Sequence, residues 1–358
     1  MSRDDLESRQ PFFGKWYLGE RLGGGTFGSV YSIYHDEEGV RLYAAMKVLT
    51  VPKSQADIEE LRTQGLSDTE IRAFFEKQVQ SFVGEVNILR NLRGNDHIVC
   101  YEDHMVVTHR SRIQWDIFIR MERLERLDHY LKRIMATRRD VIKLWYDTTI
   151  ALSICHRNSI IHRDIKPDNI LVSREGYYKL VDFGIARYIG ANASGTKAGT
   201  YPYMAPEVQE YQKYDNRADI YSLGIVIYQL LNANRYPFLP PSPTPFTATQ
   251  RDEALSMRFS GKPIPPIPGL SPEVMKVILK STAYNVKDRY STAEELQRDI
   301  LKMRMSREEL ASPLFNERGE FIPVLQKSKK KKPMRTALIC FAVIVMLFAL
   351  LMLLLYLK

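Results

Sequence analysis

His162-Arg163-Asp164-Ile165-Lys166-Pro167-Asp168-Asn169 is the string that decides the fold of this 358-residue chain. Three further strings follow it in order: Val181-Asp182-Phe183-Gly184, Ala205-Pro206-Glu207 and Asp219-Ile220-Tyr221-Ser222-Leu223-Gly224. Each string alone is short enough to arise by chance, but the set in this order is not. We therefore interpret the four strings as parts of one site and examine the rest of the chain around them.

A glycine-rich turn precedes these strings, in a part of the chain where short β-type runs alternate with turns. Residues 23–30 read Gly-Gly-Gly-Thr-Phe-Gly-Ser-Val, with the spacing G-x-G-x-x-G-x-V between two predicted strands. Glycines allow a tight turn to bring backbone N–H groups close to phosphate oxygens. Dinucleotide-binding domains share this spacing, but there a helix follows the last glycine, whereas a strand follows Gly28 here.

Lys47 ends the apolar run Ala-Ala-Met-Lys, and it is either a surface lysine at a strand edge or a clamp for phosphate. Glu85 is its candidate partner, because it lies on the face of a predicted amphipathic helix that the apolar stripe turns towards the core. A carboxylate on a buried face is costly unless it is paired. An ion pair between Lys47 and Glu85 would account for both residues.

Together, the strings resemble a eukaryotic-type (Hanks-type) serine/threonine protein kinase, with matches in order from Gly23 to about Arg289. The resemblance implies an α+β, two-lobed protein-kinase fold with a β-rich N-lobe and a helical C-lobe. We add one C-terminal transmembrane helix, as in bacterial membrane-anchored members. The predicted parts are an N-terminal extension (1–14), a kinase domain (15–305, with lobes at about 15–122 and 125–305), a basic juxtamembrane linker (306–335) and a transmembrane helix (336–358).

The resemblance assigns the chemistry to a few polar side chains. Phosphoryl transfer asks the protein mainly for positioning and charge neutralisation. Asp164 would accept or orient the proton of the substrate hydroxyl, and Lys166 would be directed at the transferred phosphate. Asn169 and Asp182 would offer hard oxygen ligands to Mg²⁺, with Mn²⁺ as the alternative ion.

The resemblance also implies where ATP binds. Lys47, oriented by Glu85, would hold the α- and β-phosphates. The chain segment that joins the lobes would bind the adenine, with Met121 guarding the back of the pocket and the backbone of Glu122 and Leu124 binding the base edge. The other predicted nucleotide contacts are Leu22, Gly23, Gly25, Gly28, Val30 and Ala45.

Several residues in the motifs have structural interpretations. We predict that His162 and Phe183 pack rather than react. Asp219 is either the N-cap of an apolar helix or, as the resemblance implies, a buried anchor for the backbone around Asp164. Glu207 is expected to pair with Arg289.

Substrate class and control follow from the same resemblance. Lys166 and residues 199–204 resemble the serine/threonine-specific members, so the predicted substrates are Ser and Thr residues of proteins. An arginine before the catalytic aspartate, as in Arg163 here, usually accompanies activation by phosphorylation in this family. Ser194 and Thr196 are the candidate phosphosites, because a phosphate of charge near −2 could pair with that arginine. A dimer for trans-autophosphorylation is a further expectation.

The net charge of +9 is local rather than general. Seven of the basic residues lie after Gln326: Lys327, Lys329, Lys330, Lys331, Lys332, Arg335 and Lys358. Without them the net charge is +2. This near-neutral body predicts no nucleic-acid partner.

Residues 337–357 form an uninterrupted apolar run without charge, Pro or Gly. At 1.5 Å per residue its helix would be about 31 Å long, close to the ~30 Å hydrocarbon core of a bilayer. The basic cluster before this run predicts a single-pass C-terminal anchor in a bacterial cell membrane, with the catalytic domain cytoplasmic. The N-terminus lacks the apolar core of a signal peptide, which predicts insertion after synthesis. The cluster would also contact anionic lipid.

One departure from the family pattern concerns spacing. Lys47 and Glu85 are 38 positions apart, which implies an insertion at about 52–69. This insertion is either an extra helix, IEELRTQG, that packs on the small lobe or binds a partner, or a solvated loop.

Two other functions are compatible with parts of the pattern. A pseudokinase would keep the fold as a scaffold, but such proteins commonly lose the lysine, the catalytic aspartate or the metal-binding aspartate, and all of these are present here. A small-molecule kinase is the other alternative. The strings at 205–207 and 219–224 argue against it, because in protein kinases they build the peptide-binding part of the large lobe.

Overall fold

A five-stranded antiparallel sheet forms the small lobe in the computed structural model, which describes residues 1–25, 28–183, 201–210 and 214–323 apart from the side chains of Glu85 and Ile88. The strands are β1 (Tyr17–Gly25), β2 (Gly28–Glu37), β3 (Val40–Val51), β4 (Tyr101–His109) and β5 (Gln114–Met121), in the order β1-β2-β3-β5-β4. The turn between β2 and β3 has left-handed backbone at Glu38 and Gly39, with φ of 51° and 81°. Two such residues match the right-handed twist of a tight hairpin.

Two helices follow β3 in the chain. The second, α3 (Asp68–Arg90), begins at a capping box in which Ser67 N donates to Glu70 Oε2 at 2.8 Å. Its apolar stripe is buried throughout: Ile71, Phe75, Val79, Phe82, Val86 and Leu89. The first, α2 (Gln55–Thr63), occupies the insertion and buries Ile58 and Leu61 in the same core cluster. The insertion is therefore a helix packed on the small lobe, not a solvated loop.

The N-terminal residues cover the back of the small sheet. After α1 (Arg3–Glu7), the rings of Phe12 and Phe118 lie 5.3 Å apart between centroids. Gln10 Oε1 accepts from the N–H of Leu18 at 2.7 Å. Leu6, Phe12, Trp16 and Phe118 belong to a cluster of buried apolar residues that is separate from the main core cluster. The segment predicted as an extension (1–14) is thus packed against the lobe.

The large lobe is mostly helical, as predicted. Its helices are α4 (Leu127–Arg133), α5 (Arg138–Arg157), α6 (Pro206–Gln209), α7 (Arg217–Leu231), α8 (Ala248–Phe259), α9 (Pro272–Ser281), α10 (Ala293–Lys302) and α11 (Arg307–Leu310). A small antiparallel sheet contains β6 (Glu125–Arg126), β7 (Ile170–Val172) and β8 (Tyr178–Leu180), in the order β6-β7-β8. Most of α7 is buried, so it forms the central helix of the lobe.

The first part of the segment predicted as a linker is folded onto the large lobe. The N–H of Leu314 donates to Ala136 O at 2.9 Å, and the N–H of Arg138 donates to Ser312 O at 3.0 Å. Leu314 and Phe315 are buried in the main core cluster. Residues 306–323 therefore belong to the folded body, because two apolar side chains anchor a segment whose composition otherwise suggests a tether.

The transmembrane prediction concerns another part of the chain. Among residues 1–323 that the structure describes, no helix combines the length and apolar character that crossing a bilayer requires. The predicted span (336–358) and the basic cluster before it lie outside the described residues.

Candidate active site

The catalytic loop, residues 162–169, brings three predicted residues together around one carboxylate. Asp164 is buried, and its Oδ2 accepts from Lys166 Nζ at 2.9 Å and from Asn169 Nδ2 at 2.8 Å. Asn169 Nδ2 also donates to the backbone O of Asp164 at 2.8 Å. Asn169 lies in a 3₁₀ turn that starts at Pro167, whose fixed φ suits the first position of a helical turn. The spacing of the three residues thus closes a compact polar site.

The carboxylate of Asp219 accepts hydrogen bonds from the backbone of the catalytic loop. Its Oδ2 accepts from the N–H of His162 and its Oδ1 from the N–H of Arg163, both at 2.8 Å. Arg163 has a φ of 66°, a left-handed conformation that a non-glycine residue keeps only when its surroundings enforce it. The buried-anchor interpretation of Asp219 is therefore confirmed.

Asp219 carries its charge although it is buried. Burial alone would raise the pKa of this carboxyl group, but hydrogen bonding and the charge of His156, together with His162, lower the pKa below its ordinary value. His156 Nε2 lies 3.0 Å from Asp219 Oδ2. A charged acceptor makes each backbone hydrogen bond stronger than a neutral acceptor would.

His162 packs and orients rather than reacts. Its Nε2–H donates to Val181 O at 2.9 Å, and its Nδ1 accepts from the N–H of Asp164 at 3.3 Å, which describes a neutral ring. Burial lowers the pKa of His162 and so favours this neutral form. Its ring lies 4.6 Å from that of Phe183 between centroids. The predicted packing role of both residues is confirmed.

Lys47 crosses the cleft between the lobes to Asp182. Lys47 Nζ lies 2.7 Å from Asp182 Oδ1, and the side chains are 12% and 38% exposed. Asp182 has a φ of 56°. Glu85, the predicted partner of Lys47, lies on α3, but its side chain is outside the described residues. The structure thus joins Lys47 to the metal-binding candidate itself.

The donor set at the cleft fits a hard divalent cation. Asp182 is partly exposed and offers carboxylate oxygens. Asn169 uses its amide nitrogen on Asp164, which leaves its carbonyl oxygen for another partner. Mg²⁺ prefers such oxygen ligands and keeps several positions for water and substrate phosphates. Within the described residues no group of three or more His, Cys, Asp or Glu forms a metal cage.

Several of the predicted nucleotide contacts are apolar residues whose places in the small lobe or its core are described. Strand pairing places Val30 opposite Lys47, and Ala45 opposite Met121. Leu22 and Leu124 are partly buried against the same core. The contact of these residues with adenine stays a prediction.

The glycine-rich turn is described on both sides of Thr26 and Phe27, which are outside the described residues. Gly23 pairs with Val30, and Gly25 pairs with Gly28. Gly28 has a φ of 124°, and a Cβ built there would lie 2.2 Å from Val48 O. Only glycine fits this position, because both the backbone conformation and the space exclude a side chain.

Side-chain hydrogen bonds that the sequence did not predict hold Glu122, in the segment that joins the lobes. The carboxylate of Glu122 accepts from the N–H of Cys100 at 2.7 Å and from Lys179 Nζ at 2.8 Å. The N–H of Glu122 donates to Cys100 O at 3.1 Å. Lys179 is 57 positions away and no local pattern links it to Glu122, which is why sequence reasoning missed it.

The large lobe contains the ion pair that the sequence predicts. Arg289 Nη1 and Nη2 lie 2.7 Å and 2.8 Å from the two carboxylate oxygens of Glu207, and both side chains are buried. A bidentate pair of this kind fixes orientation as well as distance. The expected pairing is confirmed.

A comparison with protein-family models supports the arrangement described above. The model described as protein kinase domain matches residues 16–301. The chain belongs to the protein kinase family. The resemblance stated from the motifs and the two-lobed fold are thereby confirmed.

Three members of the family that are similar to this chain come from mycobacteria. Serine/threonine-protein kinase PknB of Mycobacterium leprae is 37% identical over 169 residues, which cover 45% of this chain and 26% of that protein. Serine/threonine-protein kinase PknB of Mycobacterium tuberculosis is 37% identical over 175 residues, or 47% of this chain and 26% of that protein. Serine/threonine-protein kinase PknL of the same species is 35% identical over 173 residues, 46% of this chain and 40% of that protein. The chain thus spans less than half the length of each.

Proposed function

We propose that this protein is a serine/threonine protein kinase that transfers the γ-phosphate of ATP to Ser and Thr hydroxyls of proteins. One observation carries the proposal: Lys166 and Asn169 converge on the buried carboxylate of Asp164, while Lys47 reaches Asp182. The names of the similar mycobacterial kinases support the Ser/Thr class.

Each of these side chains has a defined task in the proposed reaction. Asp164 orients the acceptor hydroxyl and takes its proton as the new O–P bond forms. Lys166, 2.9 Å from that carboxylate, brings a positive charge to the place where the transferred phosphoryl group gains negative charge. Lys47 binds the phosphates that leave with ADP. When bound through Asn169 and Asp182, Mg²⁺ supplies further neutralisation of phosphate charge.

The assembled site favours catalysis over the pseudokinase alternative. A scaffold has no need to keep Lys47 in contact with Asp182, or Asn169 in contact with Asp164. Lys47, Asp164, Asn169 and Asp182 are all present, and each has a described polar contact within the site. Among protein and small-molecule acceptors, the buried pair of Glu207 and Arg289 favours a protein acceptor, since it belongs to the peptide-binding side of the lobe.

Phosphate transfer to casein tests the proposed function and its metal requirement. With ATP and Mg²⁺ we expect the purified protein to label casein on Ser and Thr but not on Tyr, as measured by phosphoamino-acid analysis. EDTA is expected to abolish labelling and excess Mg²⁺ to restore it, because no protein side chain can replace the cation between the phosphates. Absence of labelling with Mg²⁺ or Mn²⁺ would leave the pseudokinase alternative.

We further propose activation by autophosphorylation at Ser194 or Thr196, with two copies acting on each other. Both residues lie outside the described residues. The proposal rests on their place between the strings at 181–184 and 205–207 and on Arg163, which precedes the catalytic aspartate. A phosphate of charge near −2 beside an arginine can order a loop through charge-assisted hydrogen bonds.

We also propose that residues 336–358 anchor the protein in a membrane and leave the kinase domain on the cytoplasmic side. The length of the apolar run and the basic residues before it support this proposal. A lysine cluster at the membrane surface would add attraction to anionic lipid, worth about 1 kcal/mol per basic residue.

Two charges placed in the apolar run test the anchor. The double variant Val345→Arg, Leu347→Arg is expected to move the protein from the carbonate-resistant membrane fraction to the supernatant. Each arginine at a helix centre costs about 2.5–3.5 kcal/mol on the insertion scale. Val345→Leu with Leu347→Val is the matched control and should stay in the membrane fraction. Equal membrane retention of the arginine variant would contradict the proposal.

A further inference from the structure

Arg258, in the last turn of α8, is a buried cation that the proposed mechanism does not use. Only 3% of the surface of Arg258 is exposed to solvent. Arg258 Nη1 donates to Met204 O at 2.7 Å and to the hydroxyl of Tyr221 at 3.1 Å, while Nη2 donates to Tyr201 O at 3.2 Å. The guanidinium therefore bonds both ends of residues 201–204, which we call the acceptor segment.

Aromatic rings complete the surroundings of Arg258. Its Cζ lies 4.3 Å from the centroid of Phe259 and 5.6 Å from that of Tyr221. The ring of Phe259 also packs on Tyr201 at 5.0 Å between centroids. The end of α8 thus holds the acceptor segment by hydrogen bonds and by stacking.

No carboxylate among the described residues lies within ion-pair distance of Arg258, so carbonyls, a hydroxyl and rings balance its charge. A buried charge is costly unless it is well bonded. Arginine suits this place because its planar fork presents several donors in fixed directions. A leucine or methionine would fill the same space without that cost, which points to a role in setting geometry.

Helix α7 joins the acceptor segment to the catalytic loop. Asp219 of α7 holds the N–H groups of His162 and Arg163, and Tyr221, two residues later, bonds Arg258. Further along α7, Gln229 Oε1 accepts from the hydroxyl of Tyr203 at 2.9 Å. Helix α7 therefore hydrogen-bonds the backbone next to Asp164 and also holds the acceptor segment, through Arg258 and Tyr203.

The acceptor segment and the catalytic loop are both fixed to the N-terminal half of α7, the first through Tyr221 and the second through Asp219. Burial and the neighbouring Tyr236 raise the pKa of Tyr203, and the carboxylate of Asp168 adds to this shift. A protein chain that presents its hydroxyl to Asp164 would then lie beside residues 201–204, because Asp219 and Tyr221 fix both segments to the same part of α7.

We propose that Arg258 is a positioning residue for the protein acceptor: by holding Tyr201 O and Met204 O it sets the surface against which the substrate chain lies. The inference rests on the proposed kinase function and specifies how that site selects a polypeptide. Water, as an alternative phosphate acceptor, would not need this surface.

Arg258→Met in the full-length protein tests the inference, since methionine keeps most of the volume and removes the donors. We expect the KM for casein to rise about tenfold or more, because the surface that binds the casein chain would lose the donors that hold Tyr201 O and Met204 O. The KM for ATP and the rate of ATP hydrolysis without casein should remain within twofold of the wild-type values. Arg258→Lys, which keeps the charge but loses the fork, should show the same split and serves if the Met variant does not fold.

Arg251→Met is the matched control, because Arg251 lies on the same helix with its side chain 53% exposed. It should leave all three quantities unchanged. An unchanged KM for casein in the Arg258 variants would overturn the inference, as would an equal fall in casein transfer and ATP hydrolysis. These outcomes differ from failure of the proposed function, in which the wild-type protein itself transfers no phosphate.

Discussion

Replacing Asp164 with Asn is expected to reduce phosphate transfer to casein by about 10²- to 10⁴-fold while the protein stays folded. The carboxylate accepts hydrogen bonds from Lys166 and Asn169, so its proton-accepting oxygens are held in place before substrate arrives. Asparagine keeps the shape but cannot take the proton of the acceptor hydroxyl. The lysine would also lose the negative charge that now holds it, so proton transfer and phosphate orientation would suffer together.

Initial rates at saturating ATP, with the wild-type protein and Asp252→Asn in parallel, measure this effect. Asp252 lies on α8 with its side chain 72% exposed, so its variant controls for loss of a carboxylate in general. Thermal unfolding of the three proteins should agree closely. A casein-labelling rate of Asp164→Asn within threefold of the wild-type rate would refute the assignment of Asp164.

The same reactions report on the proposed autophosphorylation. After incubation with Mg²⁺ and ATP, mass spectrometry should find phosphate on Ser194 or Thr196 of the wild-type protein and on neither residue of Asp164→Asn. An active wild-type protein that carries phosphate on neither residue would contradict activation at these positions and leave the assignment of Asp164 intact.

Much of the site could be predicted from the sequence because it is local. Asp164, Lys166 and Asn169 lie within six residues, and the 3₁₀ turn Pro167–Asn169 follows Lys166 directly. Helix α3 was predictable for a similar reason, since a capping box and a stripe of apolar residues specify its start and its buried face. In both cases the determining interactions are short in sequence.

Interactions between distant residues were not predictable in this way. The bonds of Arg258 to residues 201–204 and of Lys179 to Glu122 join residues more than fifty positions apart. The sequence does not indicate the partner of a buried arginine or lysine, because side chains of both types usually lie in solvent. The family resemblance supplied some long-range pairs, such as that of Glu207 and Arg289. The resemblance made no prediction about pairs of residues outside the shared motifs.

Composition predicted the wrong structure for two segments in which a few buried apolar residues anchor many polar ones. Residues 306–323 resemble a tether, yet Leu314 and Phe315 dock them on the large lobe. The N-terminal residues behave similarly, since Leu6 and Phe12 are buried behind the small sheet, with the ring of Phe12 against that of Phe118. One or two large side chains can anchor a polar segment, because burying each stabilises it by about 1.5–3 kcal/mol.

Asp219→Asn is expected to lower both stability and activity, although the side chain lies beneath the catalytic loop and away from the reacting atoms. The native carboxylate accepts two backbone N–H groups and lies 3.0 Å from His156 Nε2. Asparagine offers one oxygen and one amide group, so at least one buried donor loses its acceptor, at a cost of about 1–3 kcal/mol. Loss of the buried charge adds to this, and we expect about 2–4 kcal/mol in total.

The effect on catalysis follows from the backbone at Arg163. Its φ of 66° is kept while both N–H groups are held, and relaxation of that residue would move the adjacent Asp164. We expect kcat for casein to fall by about tenfold or more, because a displaced catalytic base loses its alignment with the acceptor. Urea unfolding and initial rates would measure the two effects, with the exposed Asp288→Asn as control. If Asp219→Asn lost stability but kept the wild-type kcat, the carboxylate would support the fold without positioning the loop. The coupling of α7 to the catalytic base would then be wrong.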